Sequence, residues 1–149
     1  MAPHDLRTLP YYVADPTPLP EGIPKVPEVG ATSAPLLSVS YFIGARCQAY
    51  NDNFMLCRSQ SKTPQKDCLY EGRRVTRCAI SVLEDINKHC AETLKTHYTC
   101  LENANHELSK CRLEEAYLNK CVKTFLNLDK VLPGADGIPV HERNVKILD

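Results

Sequence analysis

Eight cysteines are the residues of this 149-residue chain with the widest chemical reach. As thiolates they could ligate a metal or exchange electrons, and in pairs they could cross-link the backbone. They stand at Cys47, Cys57, Cys68, Cys78, Cys90, Cys100, Cys111 and Cys121. Taken two at a time each pair encloses nine residues, and ten, eleven and ten residues separate the pairs. C-x9-C therefore recurs four times, in two tandem units of about 32 residues. Structural zinc sites take paired ligands from loops of two to four residues, and dithiol oxidoreductases use C-x-x-C. Neither spacing occurs, nor does a vicinal Cys-Cys, so cross-linking is the chemistry the pattern favours.

The elements that position these thiols follow from the spacing. Ten residues of helix advance about 15 Å and almost three turns, which leaves the second cysteine about 80° short of the first. Coiling at 3.5 residues per turn narrows that offset, so both thiols lie near one stripe. Two such helices laid antiparallel by a short connection set the first cysteine opposite the fourth and the second opposite the third. Of the 105 pairings open to eight thiols, the nested one is expected: Cys47–Cys78, Cys57–Cys68, Cys90–Cys121 and Cys100–Cys111.

Hydrophobic spacing supports helices. Tyr41 to Ser59 carries Phe42, Tyr50, Phe54 and Leu56 without a proline. Thr63 and Pro64 read as the start of the next helix, in which Gln65 to Asn87 bears Leu69, Val75, Ile80, Val82 and Leu83. Glu84 to Asn103 sets Ile86, Cys90, Leu94, Tyr98 and Leu101 at intervals of three and four, one face of a helix. After turn residues Asn103 to Asn105, Leu108, Cys111, Leu113, Tyr117, Leu118, Cys121, Phe125 and Leu128 continue such a stripe. All these stripes read as core.

The expected fold class is all-α: two tandem disulfide-stapled helical hairpins at 40–82 and 83–127. An extended Pro-rich arm precedes them at 1–39, and a short irregular tail follows at 128–149. The arm holds eight of the eleven prolines, a composition suited to polyproline-II stretches of about 3.1 Å per residue. Its interspersed Leu9, Tyr11, Tyr12, Ile23 and Val26 suggest a strap laid across neighbouring proteins. A hairpin pair this small buries little apolar surface, so staples are needed.

Charge excludes some functions. Eighteen Lys and Arg balance eighteen Asp and Glu, so the electrostatic footprint of a nucleic-acid binder is missing. No apolar run is long enough to cross a bilayer. Within the neutral total, residues 40–82 hold seven cations against three anions, and Arg73 and Arg77, four apart, are candidates for contact with acidic loops or anionic headgroups. No catalysis, metal or cofactor is expected, since phosphate-loop, haem and iron–sulfur motifs are absent. His97 stands one turn from Cys100 like a base beside a nucleophile, but a bridged cysteine has no thiolate to activate. His89, His97 and His106 read as surface residues.

Disulfides need an oxidising compartment, yet the first 30 residues show seven prolines and no apolar signal region, and no Arg-rich transit helix. Four C-x9-C repeats without a presequence resemble the double CHCH (coiled-coil-helix-coiled-coil-helix) family of the mitochondrial intermembrane space. Phe54-Met-Leu-Cys-Arg58, Cys68-x2-Glu-Gly72, Val75, Cys78-Ala, His89-Cys90-Ala-Glu92, Tyr98-x-Cys100 and Cys121-Val are similar, more narrowly, to a family of accessory subunits of respiratory complex I. This resemblance spans about residues 47–127; the Pro-rich arm and the short tail depart from it. It implies import through the disulfide relay oxidoreductase of that compartment, with Cys57 as docking cysteine and Phe54 and Tyr50 as its apolar companions. It also implies other complex I subunits as partners, peripheral attachment to the inner membrane, and a structural role in assembly or stability.

Two other classes are open. A metal or redox chaperone, or an assembly factor for another respiratory complex, would need free, closely spaced thiols. A secreted disulfide-rich module would need a signal peptide removed from this chain, against which Met1 argues.

Overall fold

The computed structural model describes residues 18–132. Four α-helices and one 3-10 turn make up the fold: α1 (Ser33–Gln60), α2 (Pro64–Asp67), α3 (Leu69–Asn103), the turn Leu108–Cys111, and α4 (Arg112–Leu126). No strand occurs among the described residues. The C-terminal part of α1 runs antiparallel along the first half of α3, its N-terminal end reaches the second half at His97 and Leu101, and α4 returns along that second half, so α3 is common to both hairpins.

Helix α1 begins at Ser33, seven residues before the first hairpin was expected to start. Pro35 misled that expectation. The N–H groups of a helix's first turn have no intrahelical acceptor, so a proline there costs no bond. Beyond it Ala34, Ser38, Val39, Phe42 and Cys47 form the buried side of α1. Its end is set by the loop, where the Ser61 N–H bonds the Cys57 carbonyl at 3.0 Å and Pro64 starts the next element.

The expected Gln65–Asn87 and Glu84–Asn103 helices are one. α3 passes residues 82 and 83 without interruption and is broken only at Cys90, whose φ of −131° and ψ of 30° are not helical. That kink coincides with the first cysteine of the second unit. The third cysteine of each unit has a common place: Cys68 (φ −102°, ψ 18°) precedes α3 and Cys111 (φ −117°, ψ 33°) precedes α4, each at the end of one short turn of helix. At that position the sequence repeat is also a backbone repeat. α3 closes through Asn105 and His106, both in left-handed conformation at φ 53° and 61°, with the His106 N–H on the Leu101 carbonyl at 2.8 Å. Such a reversal satisfies carbonyls the helix end leaves bare. α4 ends at Asn127, φ 51°, a residue type tolerant of that region.

One core joins the units. Val39, Phe42, Cys47, Cys78, Val82 and Ile86 cluster with Cys90, Leu94, Leu118 and Val122. A second cluster packs Ala34 of α1 on Leu101 and Cys111, with Leu37, Tyr98 and Leu108 at its edge. The start of α1, residues 33–39, which the expected hairpin left out, therefore lies against the second hairpin.

The α4 stripe read as core is wrong in part. Leu113, Tyr117 and Phe125 are exposed, while Cys111, Glu115, Leu118 and Val122 face inward. A step of two residues turns a helix by about 200°, so Leu113 and Tyr117 stand nearly opposite Cys111 and Glu115. A charged residue on the buried face hid the true register. In α1, Tyr50 and Leu56 are likewise exposed.

Candidate functional site

Four bridges form the grid that positions everything else. Cys47 joins Cys78 and Cys57 joins Cys68; Cys90 joins Cys121 and Cys100 joins Cys111. Sequence separations are 31 and 11 in each unit, and the Cα–Cα distances are 5.9, 5.9, 6.0 and 5.9 Å, within the ordinary range for the bond. Cys47 and Cys111 are wholly buried and Cys68, Cys78 and Cys90 nearly so, whereas Cys57, Cys100 and Cys121 are half-buried. No cysteine is free, so none offers a thiolate as nucleophile or ligand. Cys100, Cys111 and Glu114 lie close enough to suggest a metal site, but two of the three donors are the sulfurs of one disulfide.

His97 is not a surface residue. It is 1% exposed, and its Nδ1 is hydrogen-bonded with Ser38 Oγ of α1 at 2.6 Å, while Nε2 is buried without a partner. Its place three residues after Leu94 and four before Leu101 put it on the core stripe of α3 all along. His89 and His106 are exposed; His106 Nε2 lies 3.1 Å from Ser33 Oγ. Burial holds the His97 imidazole below its ordinary value, with Lys130 and Arg112 acting in the same direction and Glu115 and Glu114 opposing.

This sets a pH dependence. The unfolded chain takes up a proton near pH 6.5 that the folded one refuses. The contribution of His97 is therefore whole above about pH 6.5 and is lost as pH falls below it. Wild-type unfolding free energy should drop by up to about 1.4 kcal/mol per pH unit there, and His97→Leu should remove that slope. Denaturant melts of both from pH 7.5 to 5 check it; parallel curves would count against it.

Glu115 is the other buried polar group, 6% exposed. Burial pushes its carboxyl up, but hydrogen bonds from Lys130 and Arg112 outweigh this and hold it below the usual range. Arg112 Nη1 donates at 2.6 Å, and Lys130 also bonds the carboxylate and lies 4.4 Å from the centre of the Tyr41 ring. Lys130 thus ties the segment after α4 to α4 and α1 together. A buried carboxylate is tolerated where such donors surround it. Arg46 of α1 pairs with Asp85 of α3 at 2.6 Å.

Phe54 is half-buried above Gly72; a Cβ there would lie 3.3 Å from Phe54 Cε2. Gly72→Ala gains about 1 kcal/mol of helix propensity and needs the ring to yield by a few tenths of an ångström, so it should sit within about 1 kcal/mol of wild type. Gly72→Leu must displace the ring and should cost about 1–3 kcal/mol. Thermal melts separate the two; equal midpoints would show that Phe54 does not need this gap.

The remaining predicted residues are dispersed. Tyr50 is exposed on α1, seven residues before the half-buried Cys57. Arg73 and Arg77 do not share a groove: Arg77 lines one with Arg46, Tyr50 and Arg74, and Arg73 lines another with Phe54 and Gly72. Arg74, which the sequence reading did not single out, sits 5.1 Å from the Tyr50 ring centre and 5.8 Å from that of Tyr70. Ile23 and Val26 are half-buried, and Val26 lines a groove with Ala79, Ile80 and Leu83 of α3. Leu9, Tyr11 and Tyr12 lie outside the described residues. No described helix is long and apolar enough to cross a membrane.

Two helical hairpins in tandem, each closed by an outer and an inner bridge between C-x9-C pairs, define a twin C-x9-C protein. No protein-family model matches the chain. It is 54% identical over 136 residues to the NADH-ubiquinone oxidoreductase 20.8 kDa subunit of Neurospora crassa, covering 89% of this chain and 74% of that protein. It is 34% identical over 89 residues to each of two Arabidopsis thaliana proteins, NADH dehydrogenase (ubiquinone) 1 alpha subcomplex subunits 8-A and 8-B; these alignments cover 60% of this chain and 82% and 83% of the relatives. The chain belongs to this family of NADH:ubiquinone oxidoreductase accessory subunits, the alpha subcomplex subunit 8 family.

Proposed function

We propose that the chain is a non-catalytic accessory subunit of mitochondrial respiratory complex I, a scaffold on the intermembrane-space face of the membrane arm that supports assembly or stability. The observation that carries this reading is the joining of all eight cysteines into two stapled hairpins over one shared core, in a chain of this family. A rigid surface of this kind binds partners with little ordering cost. Its partners are the membrane-embedded and accessory subunits of the complex, met by the arm residues Leu9, Tyr11 and Tyr12 and by Arg73. Attachment to the inner membrane is peripheral. During import the relay oxidoreductase docks at Cys57, with Phe54 and Tyr50 on the same helix as the apolar companions.

Native-gel separation of detergent-solubilised mitochondria, followed by detection of this chain, tests the reading. Comigration with NADH dehydrogenase activity is expected. Migration only as a small free species would overturn it, and native free thiols that bind Cu(I) would favour a metal or redox chaperone.

A further inference from the structure

The two hairpins differ in charge: residues 40–82 carry seven Lys and Arg against three Asp and Glu, and residues 83–127 carry six against seven. Three of the first hairpin's cations, Arg46, Arg74 and Arg77, share one face. Arg74 lies against the rings of Tyr50 and Tyr70, joining α1 to α3. With Arg77 it lines a groove of about 500 Å³ completed by Arg46 and Tyr50, and it also borders the adjoining groove beside Leu56 and Glu71. Arg46 is paired with Asp85, whereas neither Arg74 nor Arg77 has a carboxylate within ion-pair distance among the described residues. Tyr50, Tyr70 and Leu56 are 37%, 46% and 55% exposed.

We propose that this face docks the first hairpin on a bilayer carrying anionic phospholipid, with Arg74 and Arg77 on the lipid phosphates and Tyr50, Tyr70 and Leu56 at headgroup depth. Guanidinium groups suit phosphate, and tyrosine rings, apolar with one polar tip, favour the water–lipid boundary. An acidic protein segment would answer the arginines but gives no reason for an exposed leucine and two tyrosines around them. The anionic leaflet answers both. The inference rests on the reading of the chain as peripheral to a membrane complex, and it supplies that position with a direct hold on lipid.

The test is cosedimentation of the full-length oxidised chain with vesicles of phosphatidylcholine alone or doped with phosphatidylglycerol. Binding is expected to the doped vesicles only and should weaken as salt rises. Each arginine near such a surface contributes about fivefold, so Arg74→Gln with Arg77→Gln should weaken binding about twenty-five-fold. Arg74→Lys with Arg77→Lys keeps the charge and should retain most of it, which separates lost charge from lost fold. Wild-type failure to bind, or equal binding by the glutamine and lysine variants, overturns the inference. So does saturable displacement by millimolar inorganic phosphate, which assigns the groove to a soluble anion, or binding to a polyglutamate peptide without binding to vesicles. If vesicle binding fails while the chain still comigrates with NADH dehydrogenase activity, this inference falls and the functional reading stands. Vesicle binding by a chain that never comigrates does the opposite.

Discussion

Replacing Cys47 and Cys78 together by alanine should cost about 4 kcal/mol or more, enough to unfold much of the protein at physiological temperature. The bridge closes a loop with a sequence separation of 31, for which chain entropy alone gives about 3.7 kcal/mol. Both sulfurs also belong to the shared core, at 0% and 9% exposure, so truncation adds lost packing. The pair Cys57 and Cys68, separated by 11, closes the free end of the same hairpin, and its removal should cost about 2.8 kcal/mol by the same estimate. Guanidinium melts of the two double variants, both otherwise oxidised, give the order. An inner bridge costing more than the outer one would mean that core placement is not what makes the outer bridge matter.

Phe42→Ala should lower stability by about 3–5 kcal/mol, the usual effect of emptying a buried aromatic site. Phe42 is 1% exposed on α1 and packs in the cluster that also holds Val82 from the first unit and Leu94, Leu118 and Val122 from the second. The loss should therefore be felt on both sides of the 82/83 junction. Amide exchange of the wild type and the variant reads this directly: protection should fall together in α4 and in the first half of α3. Loss confined to residues 40–82 would show two hairpins that fold apart. Protein-wide loss would mark one cooperative unit, for which the continuity of α3 across the 82/83 junction and the Ser38–His97 bond give the physical basis.

The grid of bridges was legible because cysteine spacing is a covalent ruler: nine enclosed residues on antiparallel helices leave little freedom in which thiols can meet. The start of α1 was not, since Pro35 reads as a helix breaker unless it falls in the first turn, which local sequence alone does not say. The face of α4 was misread for a related reason. Glu115 disqualified the register Cys111, Glu115, Leu118, Val122, and only the tertiary placement of Arg112 and Lys130 makes a buried carboxylate tolerable there. His97 had a visible signal in its spacing from Leu94 and Leu101, but its partner Ser38 lies 59 residues away. Arg74 was passed over beside Arg73 and Arg77 because only the pairing of α1 with α3 brings it against Tyr50.

The measurement closest to the central claim is a non-reducing peptide map of the chain recovered from isolated complex I. The four nested bridges require linked peptides containing Cys47 with Cys78, Cys57 with Cys68, Cys90 with Cys121 and Cys100 with Cys111, and no free thiol. Crossed linkages, a retained metal ion on open thiols, or the absence of the chain from the complex would contradict a stapled scaffold.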